Sequence, residues 1–453
     1  MLKEGRIVKS KLIVGMVLTL LLTGMLSFTI TIQQVKASGT IYIKADGSVD
    51  PPTANITTAD NVTYTFTDNI NDSIVIERDN IVVDGAGYTL QGTRSEIGIN
   101  LLLRSNVTIK NMEIKNFWAG IQLSFTSDTK ISGNKITAFD YYGIYLTTEA
   151  SHNTISGNNI TEPRIEDNRN ADIYLAENSG NNIISGNNII GGHIAPTQSM
   201  CSGIYNKGSS NNIISGNTIK DVFNGIMFDN PLGSNNRIYH NNFIHNGQDF
   251  VCPLSTNTLD AGYPLGGNYW DKYNGADLFS GQYQNETGSD GIGDTPYNYE
   301  GDNYPLMGMF SDFQATSEYH VQTICNSSGP ISNIEWGRWS PPISNFQYNG
   351  TAICFSVTGE TDTTGFCRIC IPRALMNETY QVFVNGTEVQ CNLLPCSNST
   401  HCYLYFTYNH STQEVIIIPE FPSFIILPLF MAATLLAVII IRRKHRANLR
   451  VPV

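Results

Sequence analysis

Apolar residues recur along this chain with a period far longer than that of a helix or a single strand. The words "DTKISGNKI", "HNTISGNNI", "NNIISGNNII" and "NNIISGNTIK" place Ile131, Ile155, Ile184 and Ile214 at the head of an Ile-x-x-Asn-x-Ile pattern. Ile109 opens an earlier copy with Met112 in the Asn place, and Ile238 a later one ending in Phe243. A second marker falls between copies: Gly98-Ile99, Gly120-Ile121, Gly143-Ile144, Gly203-Ile204 and Gly225-Ile226, with Asp172-Ile173 as a variant. Short segments of this kind cannot bury a face alone, but stacked coil on coil they enclose a continuous core. A coil of 22 to 24 residues divides into three short strands and three turns, which predicts an all-β parallel β-helix with coils about 4.8 Å apart. Asn134, Asn158, Asn187, Asn217 and Asn241 are then expected to stack as a ladder, bonded along the axis, with Asn also tolerating a left-handed corner.

The distance from one coil's last Ile to the next marker is seven or eight residues in four coils, thirteen from Ile160 to Ile173 and fifteen from Ile189 to Ile204. Two neighbouring coils thus carry extra loop at the same corner, "TEPRIEDNRNAD" and "GGHIAPTQSMCSG". Irregular loops on a rigid scaffold are where recognition usually resides. Glu162, Arg164, Glu166, Asp167, Arg169, Asp172, His193 and Gln198 are therefore the candidate binding residues for a polysaccharide or another cell-envelope component. Sugar cleavage needs paired carboxylates, or acidic calcium ligands beside a basic residue. Glu162, Glu166 and Asp167 with Arg164 or Arg169 supply those residue types, but no stacked acidic pair occupies the regular coils.

Beyond Ala315 the pattern changes to the period of two of antiparallel strands, as in "YQVFVNGTEVQ" and "CYLYFTYNHSTQEVIII", and predicts a small β-sandwich. Seven of the nine cysteines lie between Cys325 and Cys402, so disulfides are expected there. Cys367 and Cys370 form a lone CxxC without the companion ligands of a zinc site. The domains expected are a signal peptide (1–37), an N-terminal cap and first coils (38–98), β-helix repeats (99–260), a C-terminal cap (261–314), the sandwich (315–418) and a terminal anchor (419–446).

Both ends read as targeting segments. Lys3, Arg6, Lys9 and Lys11 precede an apolar stretch and a small-x-small site at Val35-Lys36-Ala37. Phe424 to Ile441 is long enough to cross a bilayer, and Arg442, Arg443, Lys444 and Arg446 follow, which predicts a cytoplasmic C-terminus and an extracellular body. Asn-x-Ser/Thr sequons, clustered from Asn326 onward, agree with a glycosylated exterior. The net charge of -12 and a charged fraction of 15% offer no basic patch for nucleic acid.

The run "IVVDGAGYTLQG", the "HNTISGNNI" coils and "YPLGGNYWDKY" followed by "SDGIGDTPYNYEGDNYPLM" resemble NosD-type right-handed β-helix repeat proteins, over roughly Ile41 to Met309. The resemblance implies a solenoid, and in the namesake a periplasmic copper-binding role; the wider class holds sugar-binding and sugar-cleaving β-helices. Copper would need soft or imidazole ligands, for which His152, His193, Met200, Cys201, Met227, His240 and His245 are the candidates, scattered over several coils, with His193, Met200 and Cys201 on one insert as the best group. "GSDGIGDTPY" places Asp290 and Asp294 as a candidate Ca²⁺ loop, or as a turn closing the solenoid. Pro419-Glu420-Phe421-Pro422 with the apolar span resembles PEF-type archaeal sorting signals, which implies enzymatic removal of the tail; an ordinary anchor helix is the alternative.

Overall fold

The computed structural model describes residues 39–161, 171–176, 178–191, 201–229, 233–252, 256–297, 301–326, 342–376 and 379–420. Every regular element among them is a strand. Three long sheets form the walls of a solenoid: a front sheet of ten strands, a side sheet of nine and a back sheet of eight. The chain visits them in that order. Ile97–Leu102 on the front is followed by Val107–Lys110 on the side and Glu113–Lys115 on the back, and Ala119–Ser124 begins the next coil. From Ile97 onward each strand of these walls pairs in parallel with its equivalent one coil away, as Ile131 does with Ile155 and Ile136 with Ile160; the short strands Val49–Asp50 and Ile56–Thr57 at the N-terminal end pair antiparallel.

The register explains the two sequence markers. Ile109, Ile131, Ile155, Ile184, Ile214 and Ile238 stack along the side sheet. Ile99, Ile121, Ile144, Ile173, Ile204 and Ile226 stack along the front. All are buried in one continuous core, and each contributes about 1.5–3 kcal/mol by leaving water. The Gly before the front-sheet Ile is needed for close approach. A Cβ on Gly120 would lie 2.6 Å from the carbonyl oxygen of Gly143, and one on Gly225 2.3 Å from that of Asp249.

The asparagine ladder is present and longer than expected. Asn187 accepts at Oδ1 from the main-chain N and Nδ2 of Asn158 (both 3.0 Å), and its own Nδ2 donates to Asn217 Oδ1 and Ile155 O, both at 2.9 Å. The ladder continues through Asn241 to Asn268. These residues do not occupy the left-handed corner, contrary to expectation. That conformation falls on the residue before each: Gly133, Gly157, Gly186, Gly216 and His240. The division of labour is physical, because the left-handed turn aims the next side chain inward, where an amide is the group that can bond both up and down the stack. A second ladder, from Asn153 through Asn182, Asn212 and Asn236 to Asn257, lines the corner between front and side sheets. Asn187→Ala takes the acceptor from two donors of Asn158, removes the side-chain donor to Ile155 O, and leaves Asn217 Oδ1 only the main-chain N–H of residue 187. It is expected to lower stability by about 3 kcal/mol, read as a shifted midpoint in urea denaturation.

The core ends in an aromatic plug. Trp270 lies flat on Phe243, centroids 4.3 Å apart, and donates its indole N–H to Asp302 Oδ2 at 2.9 Å. Beyond it, Met309–Gln314 begins a sandwich of two five-stranded sheets, antiparallel throughout, as in the pairing of Thr364–Pro372 with His401–Asn409. Met309–Gln314 is itself an outer strand of the first sheet. Cys325 and Cys367 are joined by a disulfide, which assigns Cys367 of the CxxC to a structural bond across adjacent strands. The N-terminal segment and the Phe424 to Ile441 span lie outside the described residues; among those described, no helix is long and apolar enough to cross a membrane.

Candidate functional site: an aromatic wall on the front sheet

Glu162, Arg164, Glu166, Asp167, Arg169, His193 and Gln198 lie outside the described residues. Their stems do not. The first insert leaves the back sheet at Thr161, which is paired with Ile190 beside the start of the second, and rejoins the front at Ala171, which is paired with Ser202. The two enlarged corners are thus one coil apart on the same edge of the solenoid. Asp172, fully buried, follows the first stem.

Next to these stems the front sheet carries a feature the marker spacing does not address. Tyr145, Tyr174 and Tyr205 are in register on three successive coils, each directly after a marker Ile, so their side chains point away from the core. Ring centroids are 5.4 Å apart for Tyr145 and Tyr174 and 4.9 Å for Tyr174 and Tyr205. Tyr142, paired with Ala171 at the insert stem, stands 4.7 Å from Tyr145 and 4.8 Å from Tyr174. Trp118 extends the band to the preceding coil, 5.4 Å from Tyr142 and 6.1 Å from Tyr145, and Tyr141 flanks it. Tyr174 at the centre is nearly buried, whereas Trp118, Tyr142, Tyr145 and Tyr205 are half-buried and Tyr141 is exposed. The signal was available in the sequence as Ile-Tyr at 144–145, 173–174 and 204–205.

Past Tyr205 the same column continues through Met227 to Val251. Here the surface opens into a groove of about 610 Å³ lined by Met227, Phe228, Asp229, Gln248, Phe250 and Lys272, among others. Asp229 Oδ2 accepts from the Tyr205 hydroxyl at 2.5 Å, joining the groove to the band. Asp249 pairs with Lys272 at 3.0 Å; burial raises its carboxyl above the usual range, against the opposing pull of Lys272.

The candidate copper ligands that are described serve other purposes. His240 takes a left-handed corner, stacks on Phe310 at 4.0 Å, and donates Nε2–H to Leu265 O at 2.9 Å. His245 Nδ1 stands 3.8 Å from Asp221. Met227 Sδ lies 3.9 Å from the Ser202 hydroxyl. His152 takes another left-handed corner and Cys201 sits at an insert stem, while His193 and Met200 lie outside the described residues. Among the described residues these donors are dispersed over several coils, and the group His193, Met200 and Cys201 on one insert lies mostly outside them. Burial pushes His240 down to about 4. A base whose folded value is depressed binds protons more readily when unfolded, so stability is lost as pH falls from about 6.5 toward 4. The loss is about 3 kcal/mol. His240→Phe is expected to flatten that part of the curve, measured by denaturant titration at each pH.

Asp290 and Asp294 bracket a hydrogen-bonded turn. Asp294 accepts from the main-chain N–H groups of Leu278 and Phe279 (2.9 and 3.1 Å), and Asp290 Oδ1 from that of Ile292 at 3.1 Å. Asp277 accepts in turn from Asp290 N and Gly291 N. Among the described residues no three His, Cys, Asp or Glu side chains are grouped to hold a metal ion.

Residues 41–193 match the family model of a right handed beta helix region, and residues 161–275 that of the periplasmic copper-binding protein NosD. Together with the stacked coils, these matches support a NosD-type right-handed β-helix protein. No curated protein matches the chain. Among solved structures, similarity extends to the DFA-IIIase of Arthrobacter chlorophenolicus A6, with 18% identity and a TM-score of 0.26, covering 38% of each chain. The alginate lyase of a Paenibacillus species matches at 12% identity and a TM-score of 0.27, over 44% of this chain and 91% of that one. The enzymatically active domain of bacteriophage CBA120 tailspike protein 2 matches at 10% and 0.31, over 78% and 71%.

Proposed function

We propose that this protein is an extracellular β-helix, tethered at its C-terminus, that binds carbohydrate along the front sheet without cleaving it. The observation that carries the reading is the band of Trp118, Tyr142, Tyr145 and Tyr205 spread over four coils beside the two insert stems. Aromatic rings on a rigid sheet present apolar faces to the C–H faces of sugar rings while their polar tips stay wet. Neighbouring rungs are about 4.8 Å apart, close to the advance of an extended glycan per sugar, so a chain laid along the axis meets half-buried rings on three of the four coils, with the nearly buried Tyr174 packed between Tyr145 and Tyr205. The insert side chains Glu162, Arg164, Glu166, Asp167, Arg169, His193 and Gln198 are the proposed rim of the same surface, whereas Asp172, expected among them, is fully buried and unable to reach a ligand there. An outside location fits the basic-apolar N-terminal segment, the sequons and the Cys325–Cys367 bond.

Affinity electrophoresis against a panel of neutral and acidic polysaccharides tests the reading. The protein is expected to be retarded by at least one polymer without releasing new reducing or unsaturated ends. Retardation unchanged by Ala at Trp118, Tyr145 and Tyr205 together would remove the wall from consideration.

A further inference from the structure

Resting on the carbohydrate reading, we infer that the groove at the C-terminal end of the wall is a subsite for an uncharged hexose unit, and that the sugar held there is neutral rather than uronic or otherwise anionic. Tyr205, Met227 and Val251 occupy one outward column on consecutive front strands, and the Tyr205 hydroxyl is hydrogen-bonded to Asp229 on the groove. A chain lying on the band is led into the groove by the same rungs.

Met227, Val251 and Tyr297, all half-buried, give the groove an apolar component that suits the C–H face of a sugar ring, and its volume of about 610 Å³ falls within the range of small-ligand pockets. Its exposed polar side chains are Asp229, Gln248 and Lys272. Asp229 supplies carboxylate oxygens that accept protons from sugar hydroxyls, and Gln248 both donates and accepts.

Among the described residues, the cation lining the groove is Lys272, and it is already engaged. An ammonium has three protons to give, and Lys272 directs them to Asp249 Oδ2 at 3.0 Å, Asn246 O at 2.7 Å and Gly247 O at 3.4 Å. A carboxylated, sulfated or phosphorylated sugar would find no uncommitted cation there, and would meet the negative charge of Asp229. Uronate recognition calls for an Arg or Lys free to form a charge-assisted pair; a hydroxyl-rich neutral ring does not.

Isothermal titration of the purified full-length chain with cello-, manno- and laminari-oligosaccharides, alongside oligogalacturonate and alginate oligomers, tests this. The expected result is binding of a neutral series with little dependence on salt. The double variant Asp229→Ala with Gln248→Ala should weaken it by about tenfold while melting like the parent, since both side chains are exposed. Binding confined to the acidic oligomers, lost on removing Trp118, Tyr145 and Tyr205, would overturn the ligand class and leave the wall standing. Neutral binding that the double variant does not change would overturn the groove as a subsite. Absence of binding to every oligosaccharide by the parent chain would overturn this inference and the carbohydrate reading together.

Discussion

Arg368→Ala is expected to lower stability by about 3–5 kcal/mol. Arg368 sits on the sandwich strand Thr364–Pro372 with 2% of its surface exposed. Its guanidinium donates Nη1–H to Asp290 O at 2.7 Å and Nη2–H to Pro264 O at 2.6 Å, and lies 5.2 Å from the ring centre of Tyr403. Nη1 is also 3.8 Å from the fully buried Asp290 carboxylate. Burial raises the Asp290 carboxyl, and Arg368 is the main influence holding it down. Truncation therefore leaves a buried acid without its cation and two carbonyls of the solenoid cap without donors.

The surrounding cluster is shared, with Ile292 and Leu306 from the cap packed against Phe310, Ile324, Phe366 and Tyr405 from the sandwich. Cap and sandwich should consequently lose stability in one step. Arg368→Lys keeps the charge but not the planar fork, and recovers only part of the loss. Urea denaturation followed by tryptophan fluorescence checks the order. An Arg368→Ala variant within 1 kcal/mol of the parent, on the order of an exposed pair, would show that the junction is held by apolar packing alone.

The second large effect concerns binding. Removing Trp118, Tyr145 and Tyr205 together is expected to weaken glycan affinity by about a hundredfold, corresponding to about 1 kcal/mol for each stacked ring. The three side chains are half-buried, and each also touches another ring of the band. The alanine variant will therefore melt earlier, and affinity must be measured well below its transition. Tyr145→Phe with Tyr205→Phe separates the two roles. It keeps the stacking faces and should retain most of the affinity, with a modest loss from removing the Tyr205 hydroxyl bond to Asp229. Affinity lost equally in the phenylalanine and alanine variants would mean that hydroxyl contacts, rather than ring faces, hold the ligand.

Much of the solenoid was legible from residue order, because a repeat that buries one Ile per wall must repeat those Ile residues at the coil period. Ile131, Ile155, Ile184 and Ile214 stack as the spacing implied, and so does the Asn134 to Asn241 ladder. The alternation beyond Ala315 likewise marked antiparallel strands. The assignment of the left-handed corner was displaced by one residue, since a ladder Asn and the residue that turns the chain before it are adjacent in every copy and only backbone geometry separates them. The second ladder was hidden for a related reason. Asn153, Asn182, Asn212 and Asn236 stand beside other asparagines or turn residues, and composition alone does not say which amide points inward.

What the order of residues determined, then, is everything that follows from periodicity: coils, corners, their inward rungs, and the two enlarged loops at one edge. What only the tertiary structure decided is which unlike side chains bond to each other, one coil apart or between cap and sandwich. Tyr205 reaches Asp229, Lys272 folds back on Asp249, and Arg368 finds Pro264 across 104 residues. A periodic pattern constrains residues of the same kind one coil apart. The wall's continuation into a groove and the locking of cap to sandwich depend instead on unlike residues brought together once, by the way the chain leaves the last coil.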